Sequence, residues 1–275
     1  MLKSKSLNIK TGKNDLTYIL FPNLCDGNCI AAFTTRMGGV SRGRYASMNM
    51  SFTNGDDENA VRENYNILFS ELGLDPEKAV LSHQTHTKNL KIVTERDAGK
   101  GITKNRDYND IDGIITNCKG ISLVTQFADC VPLMFYDPVK QVVAASHAGW
   151  RGTALEIGKE TVKKMCDAFG STPKDIKVAI GPSIMSCCYE VDEPVVNELK
   201  KLEYIPLGSI LTPKENGKYM LDLQTTNRLI LENAGILKEN ICVSDLCTCC
   251  NSNYFHSHRA TAGNRGNLAA IIALK

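Results

Sequence analysis

The segment that decides the fold covers residues 121–154, with the sequence ISLVTQFADCVPLMFYDPVKQVVAASHAGWRGTA. It contains two apolar runs, residues 131–136 and 141–146, which predict two β-strands. An Asp-Pro turn signal separates them, so the strands are expected to pair as a tight antiparallel hairpin. Cys130 then enters one strand and His147 leaves its neighbour. The pattern therefore predicts a thiol and an imidazole at the same end of a sheet.

Helix signals alternate with further strand signals along the chain. The clearest one covers residues 152–169, with an apolar stripe that includes Leu155 and a glycine directly after it as the C-terminal stop. Other helices are predicted to open at residues 56–58 and to be capped by Asp222. Because strands and helices are interleaved and several strands are antiparallel, one α+β domain covering residues 1–275 is the simplest architecture.

Composition and charge are those of an ordinary soluble globular chain. Hydrophobic residues make up 43%, charged residues 23%, and the formal net charge is +2, so neither nucleic acid nor a membrane surface is an expected partner. The sequence has no recognisable signal peptide and no apolar run long enough to span a bilayer. Eleven cysteines are present, mostly in apolar or strand-like surroundings. We therefore expect free thiols and a cytoplasmic location.

Histidine is scarce, which limits the metal chemistry that the chain can support. His83 and His86 stand three apart, and in an extended backbone they would face opposite sides, so only one is expected at a site. That histidine, Cys130 and His147 would come from three strand ends and offer two imidazoles and one thiolate. This set suits zinc and leaves a fourth position open, which is typical of catalytic zinc. The five histidines of the chain cannot supply both copper centres of a multicopper oxidase.

The C-terminal region offers a second set of metal-ligand residue types. Its members are Cys247, Cys249, Cys250, His256 and His258. The C-x-C-C spacing is tighter than the usual zinc knuckle, so buried cysteines beside surface histidines are the preferred interpretation.

Several short motifs together carry a family likeness. They are FTTRMGGVS (33–41), QTH (84–86), ADCVP (128–132), HAGWRG (147–152), IGPSI (180–184), CYEV (188–191), Cys247-Thr248 and Arg259. In this order the chain resembles the YfiH/YlmD family, long labelled laccase-domain or multicopper polyphenol oxidase and now regarded as zinc-dependent purine nucleoside phosphorylases. Departures from the family pattern are concentrated in the tail, where Cys249 and Cys250 replace an aromatic and a small residue.

The resemblance implies a β-sandwich core flanked by helices, with zinc (Zn2+) bound by His86, Cys130 and His147. It therefore selects His86 over His83. It also implies a purine nucleoside pocket beside the metal. The implied reaction converts adenosine, inosine or methylthioadenosine and phosphate to the base and a pentose 1-phosphate, with adenosine deamination as a side activity.

Phosphorolysis also needs groups that bind phosphate and handle a proton. Arg36, Arg151 and Arg259 are candidate phosphate ligands, because a guanidinium fork fits phosphate. Asp129 adjoins the metal thiolate and could shuttle a proton in deamination or merely support the ligands. Further candidate carboxylates are Asp112 and Glu190.

Two other functions remain open from the sequence. One is a hydrolase that edits peptidoglycan precursors, a role linked to some members of the family. The other is a non-catalytic zinc protein. Phosphate dependence separates these readings, since a phosphorylase is silent without phosphate and a hydrolase is not.

Overall fold

The computed structural model describes residues 2–275. The helices are α1 (Glu58–Leu72), α2 (Trp150–Ala154), α3 (Ile157–Phe169), α4 (Glu193–Leu199), α5 (Leu223–Asn233) and α6 (His258–Thr261). The first eight strands are β1 (Asn8–Thr11), β2 (Thr17–Leu20), β3 (Cys29–Thr34), β4 (Ala79–Leu81), β5 (Leu90–Ile92), β6 (Gly113–Thr116), β7 (Ser122–Phe127) and β8 (Val131–Asp137). The others are β9 (Val142–Ala148), β10 (Lys177–Ile180), β11 (Glu190–Val191), β12 (Leu211–Pro213), β13 (Tyr219–Leu221), β14 (Ile241–Val243) and β15 (Leu268–Leu274). Within residues 2–275, no helix has the length and apolar character needed to cross a membrane.

Most strands belong to two six-stranded sheets. The first sheet has the order β1-β2-β3-β15-β7-β4, and the second has the order β14-β10-β8-β9-β6-β5. A third, smaller sheet has the order β11-β13-β12 and is separate from the two large sheets. Neighbouring strands are antiparallel except in the pairs β4–β7, β5–β6 and β10–β14. The α+β fold expected from the sequence is confirmed.

The two large sheets share one apolar core, and strand β8 shows how the sequence builds it. Met134 and Tyr136 pack against residues of the first sheet, whereas Leu133 and Phe135 point to the opposite face and pack against helices. Side chains alternate along a strand, so a strand that is covered on both faces needs an uninterrupted apolar run. This accounts for the continuous hydrophobic stretch of residues 131–136.

Helices cover the outer faces of both sheets. On the first sheet, Tyr65 and Leu68 of α1 pack against Ile271 of β15. On the second sheet, α3 and α5 contribute Val162 and Leu231 to the core that includes Phe135. The molecule is therefore layered as helix, sheet, sheet and helices, which is the sandwich with flanking helices that the resemblance implied.

The predicted hairpin of residues 131–136 and 141–146 is confirmed as the antiparallel pair β8–β9. Pro132 pairs with His147 and Val131 pairs with Ala148, so the register places Cys130 beside the end of the neighbouring strand. The Asp-Pro turn also forms as expected. The side chain of Asp137 in this turn accepts hydrogen bonds from the backbone N–H groups two and three residues later in the chain.

The helix predictions are confirmed at their caps but wrong at one break. The side chain of Asp57 accepts a hydrogen bond from the N–H of Asn59, and that of Asp222 accepts one from Thr225. The predicted helix over residues 152–169 is two helices, α2 and α3. Glu156 between them has φ of 56°, in the left-handed region, which stops the hydrogen-bond ladder. Leu155 consequently leaves the apolar stripe and is 45% exposed.

Candidate metal centre

The structure brings together the side chains of His86, Cys130 and His147, hereafter the histidine–cysteine group. One ligand atom from each lies within 4.8 Å of the others. Cys130 directly precedes β8, His147 belongs to β9, and His86 lies in the turn after β4. His83 lies outside the group, because its Nδ1 accepts a hydrogen bond from the backbone N–H of Asp110. The geometry therefore selects His86.

Asp112 positions two of these three side chains. Its Oδ1 lies 2.8 Å from Nδ1 of His147, which leaves Nε2 of that ring for the group. The same carboxylate accepts hydrogen bonds from the backbone N–H groups of Thr85, His86 and Thr87 at 3.0, 3.1 and 2.8 Å. A buried carboxylate thus fixes both a ligand ring and the turn that carries another ligand. The sequence offered Asp112 only as a candidate proton shuttle.

The electrostatics of the group favour a cation. Burial alone would lower the pKa of His147, but the neighbouring Cys130 and Asp112 outweigh it and raise that pKa to about 9. Burial alone would raise the pKa of Asp112, but hydrogen bonds from His147 and from the turn lower it to about 2. Burial and the charge of His147 lower the pKa of His86. Asp112 therefore places negative charge beside the position where a cation would bind.

The backbone leaves room for that cation. A Cβ at position 149 would lie 2.8 Å from Nδ1 of His86 and 3.0 Å from Sγ of Cys130, so only glycine fits there. His86 and Asp129 adopt φ of 65° and 84°, a conformation that non-glycine residues seldom adopt and that carries some strain. The chain keeps a space open between the three side chains at some conformational cost.

A cavity of about 310 Å³ adjoins the histidine–cysteine group. Its walls include four apolar or aromatic side chains, those of Trp150, Ile184, Tyr189 and Leu223. Burial raises the pKa of Tyr189, and the nearby Cys130 raises it further, so this hydroxyl stays protonated at neutral pH. A more polar cavity of about 330 Å³ shares His86, Cys130 and Arg265 with the first. Both cavities therefore open onto the group.

Two of the predicted phosphate-binding arginines lie outside the lining of these cavities. Nε of Arg36 donates a hydrogen bond to the carbonyl of Ala46 at 2.8 Å, and its Nη1 donates to that of Ser252 at 3.2 Å. Arg151 is exposed, and its guanidinium carbon lies 4.2 Å from the ring centre of Trp150. Two N–H groups of Arg36 thus donate to backbone carbonyls.

Arg259, the third predicted arginine, does line the first cavity. Its guanidinium donates hydrogen bonds to the carbonyls of Cys188 and Glu190 at 3.1 and 3.0 Å. Arg265 lines both cavities, and its buried Nε lacks a hydrogen-bond partner. Burial lowers the pKa of Arg265. The sequence analysis did not name Arg265 as a candidate anion ligand.

Asp129 lines the same cavity, but its carboxylate already has three hydrogen-bond donors. Oδ1 accepts from Oγ1 of Thr248 at 2.6 Å, and Oδ2 accepts from Oγ of Ser257 and the backbone N–H of Arg259 at 3.0 and 2.7 Å. This geometry favours the supporting role over the proton shuttle. Glu190 pairs with two surface lysines.

The C-terminal set of metal-ligand residues divides differently from the prediction. Cys247 and Cys250 join Cys187 and Cys188, and one sulfur from each lies within 4.8 Å of the others. We call these four residues the four-cysteine group. The preferred interpretation, buried cysteines beside surface histidines, is wrong in two places. Cys250 is exposed, and His256 is buried at 1% exposure. Cys249 and both C-terminal histidines lie outside the group.

Sequence and structure comparisons agree on the kinship of the chain. The model of a family described as multi-copper polyphenol oxidoreductase laccase matches residues 30–275. Purine nucleoside phosphorylase YlmD of Bacillus subtilis strain 168 is 41% identical over 252 residues, covering 90% of this chain and 88% of the relative. Adenosine deaminase RL5, from an unknown prokaryotic organism, is 34% identical, and the match covers 86% of this chain and 91% of the relative.

Solved structures give the same answer. The crystal structure of the hypothetical protein YfiH of Bacillus licheniformis has a TM-score of 0.90, with 36% identity over 94% of this chain and 96% of that one. The order of motifs, the layered fold and these relatives agree. The chain belongs to the YfiH/YlmD family, the family described as multi-copper polyphenol oxidoreductase laccase.

Proposed function

We propose that this protein is a zinc-dependent purine nucleoside phosphorylase with adenosine deaminase side activity. The observation that carries the proposal is the histidine–cysteine group, which opens onto a cavity with aromatic walls. The names of the relatives supply the substrate class, since one is called a purine nucleoside phosphorylase and another an adenosine deaminase. The substrates would be adenosine, inosine or methylthioadenosine, with phosphate as the second substrate.

Zinc fits the three side chains by the chemistry of its donors. Two imidazoles and one thiolate match the ligands that zinc prefers, and three protein ligands leave one position for substrate or water. The support of His147 by Asp112 is the arrangement that usually orients a zinc-bound histidine. When bound, zinc would supply a Lewis acid and, for deamination, an activated water.

The family description suggests copper oxidase chemistry, and the distribution of histidine argues against it. Within residues 2–275, only His86 and His147 belong to a group that could hold a metal. A blue-copper site alone would use two imidazoles, and a trinuclear centre needs several more. The remaining three histidines, His83, His256 and His258, lie outside both groups.

The cavity walls suit a nucleoside. The flat apolar surfaces of Trp150 and Tyr189 can pack against a purine ring, which buries an aromatic base. Because its hydroxyl is neutral, Tyr189 can also donate a hydrogen bond to the base as negative charge develops on it. The guanidinium groups of Arg259 and Arg265 lie on the same lining, where they can bind phosphate.

The reaction then needs few groups from the protein. A phosphate oxygen forms a bond to C1′ of the sugar, while the bond between C1′ and the purine nitrogen breaks and its electrons pass to the base. The arginines hold the phosphate near that carbon, and binding both substrates in one cavity supplies proximity. Asp129 holds the backbone of Arg259 in place through the hydrogen bond at 2.7 Å.

Product analysis of purified protein tests this proposal. Adenosine and phosphate should give adenine and ribose 1-phosphate, and omission of phosphate should stop base release. Slower conversion of adenosine to inosine should persist without phosphate. Cys130→Ala should lose both activities, because it removes a metal ligand. Release of a base or an amino acid at a rate that does not depend on phosphate would contradict the proposal and indicate a hydrolase, such as one that edits peptidoglycan precursors.

A further inference from the structure

The four-cysteine group joins two loops that are distant in sequence. Cys187 and Cys188 lie in the loop between β10 and β11, whereas Cys247 and Cys250 lie in the loop after β14. Sγ of Cys250 lies 3.4 Å from Sγ of Cys187 and 3.3 Å from that of Cys188. All four sulfurs lie within 4.8 Å of one another. Eleven cysteines are present, so this convergence selects four of them.

We propose that the four-cysteine group is a second metal site, which binds one zinc ion in a tetrahedron of thiolates. Zinc–sulfur bonds of about 2.3 Å place tetrahedral sulfurs roughly 3.8 Å apart. The observed separations, from 3.3 Å to a limit of 4.8 Å, bracket that value. Four sulfurs around one tetrahedral ion indicate zinc or an iron–sulfur centre. In a multi-iron cluster the thiolates bind different irons and are held farther apart, which the compact group does not match.

The local chain geometry supports ligation. Cys247 and Cys250 are separated by two residues, the spacing that zinc knuckles use. Sγ of Cys247 accepts a hydrogen bond from the backbone N–H of Met185 at 3.5 Å, an interaction that stabilises a thiolate. The backbone N–H of Thr248 donates to the carbonyl of Ser183 at 3.0 Å. The two loops are thus held side by side by backbone contacts.

A disulfide explains the arrangement less well. A disulfide would pair Cys250 with a single partner, but its sulfur is almost equally distant from Cys187 and Cys188. Nearly equal distances are what a shared central ion requires.

The site would fix one wall of the cavity beside the histidine–cysteine group. Ile184 and Tyr189 flank the first cysteine pair and line that cavity. In the second loop, the hydroxyl of Thr248 donates a hydrogen bond to the carboxylate of Asp129. Arg259, which follows this loop, donates a hydrogen bond to the carbonyl of Cys188. Four protein ligands fill a zinc tetrahedron, so the role of this ion is to hold structure and not to bind substrate.

Metal content of the purified protein tests the proposal separately from the proposed function. The unaltered protein should carry about two zinc ions per chain. Cys187→Ser and Cys250→Ser should each carry about one and retain thiolate-to-metal absorption of a single-thiolate site after cobalt substitution. Cys130→Ala should also carry about one, but with the stronger absorption of a four-thiolate site. Cys249→Ser is the matched control and should keep both ions.

A measurement on the unaltered protein avoids dependence on folding of the variants. X-ray absorption at the zinc edge should give about 2.5 sulfur ligands per zinc, the mean of a four-thiolate and a one-thiolate site. A mean near one sulfur ligand, with a single zinc per chain, would overturn the proposal. So would a disulfide within the four-cysteine group in protein kept under reducing conditions, or loss of the second ion in Cys249→Ser alone.

Discussion

Two members of the histidine–cysteine group lie at the ends of paired strands, whereas the four-cysteine group lies between two loops. His147 belongs to β9 at the centre of the second sheet and is 4% exposed, and Cys130 directly precedes the neighbouring strand. Cys187 and Cys250, by contrast, are exposed. A sheet holds ligand positions through many backbone hydrogen bonds, whereas loops are more mobile, so a bound metal would add more rigidity to a site between loops.

The two groups also differ in what surrounds them. The first has a buried carboxylate, Asp112, behind a ligand ring and an open cavity in front. The second is supported by hydrogen bonds from the N–H of Met185 to Sγ of Cys247 and from the guanidinium of Arg259 to the carbonyl of Cys188. Three ligands beside a cavity favour a catalytic metal site, and four thiols that complete a tetrahedron favour a structural one. The contrast teaches that number of ligands and rigidity of support together indicate what a metal site does.

The largest expected effect comes from removing a ligand of the first group. Cys130→Ala should lower kcat/KM for phosphorolysis by at least about 10³-fold, because metal assistance is worth several kcal/mol. Cys187→Ser, a loss of one thiol from the second group, should lower it by less than about 10-fold. Steady-state kinetics on both variants decide this. Equal losses would break the comparison and make the four-cysteine group part of the catalytic machinery.

Stability should show the opposite order. Loss of zinc from the four-cysteine group in Cys187→Ser should lower the free energy of unfolding by about 3 kcal/mol, since an ion that binds only the folded state stabilises it. Urea unfolding with and without a chelator measures this. Cys166→Ser, a half-buried thiol on α3, is the control and should respond to the chelator like the unaltered protein. An equal response in Cys187→Ser would contradict a structural role.

The carboxylate behind the first group should act through metal affinity. Asp112→Asn should weaken zinc binding at the histidine–cysteine group by about 10- to 100-fold, since it disturbs the ring that Asp112 orients. Competition with a fluorescent chelator gives the affinity. Asp97→Asn is a matched control, because Asp97 is also a buried carboxylate with a pKa lowered to about 2. It should leave both metal sites unchanged.

Asp97 should also make the free energy of unfolding depend on pH, which distinguishes a carboxylate that stabilises the fold from one that supports the metal site. Burial alone would raise its pKa, but hydrogen bonds from Lys100 and from the N–H of Thr94 lower it from 3.8 to about 2. A lowered carboxyl pKa contributes stability above about pH 4 that is lost as pH falls toward 2. Asp97→Asn should therefore remove up to about 2 kcal/mol of that stability at neutral pH and flatten its acid dependence.

Unfolding by urea at several pH values checks the effect of Asp97. The difference in stability between the unaltered protein and the variant should shrink as pH falls through the window. A constant difference would mean that the asparagine disturbs packing and not charge.

The smallest expected effect concerns phosphate. Arg265→Ala should raise the KM for phosphate by about 10-fold, the value of one charge-assisted hydrogen bond. Arg36→Ala is the comparison, because Arg36 lies outside the lining of both cavities and two of its N–H groups donate to backbone carbonyls. It should leave that KM within about 2-fold. The reverse result would restore Arg36 as the phosphate ligand and remove Arg265 from the proposed site.

Local patterns in the sequence determined a large part of the fold. The hairpin of residues 131–136 and 141–146, the start of α1 and the cap of α5 depend on neighbouring residues, so turn and capping signals found them. The break at Glu156 was missed because its φ of 56° occurs where the chain turns from α2 into α3. An apolar stripe that continues across such a turn looks like one helix.

Part of the candidate site could also be predicted from local patterns in the sequence. Cys130 and His147 are partners across a hairpin, so local geometry brings them together, and the motif QTH selected His86 by resemblance. The role of Asp112 was not visible, because its hydrogen bonds reach a turn 25 to 27 residues away and a strand 35 residues away. Arg36 was proposed as a phosphate ligand from its place in a glycine loop, and that position says nothing about which acceptors its guanidinium meets.

The sequence by itself determined the class of fold, the hairpin with its thiol and imidazole, and the family. Only the tertiary structure decided which cysteines meet. Cys188 and Cys250 are 62 residues apart, and their sulfurs lie 3.3 Å from each other because β10 and β14 pair in parallel and set their following loops side by side. Strand pairing between distant segments depends on the packing of the whole sheet, and no local pattern in either loop encodes its partner.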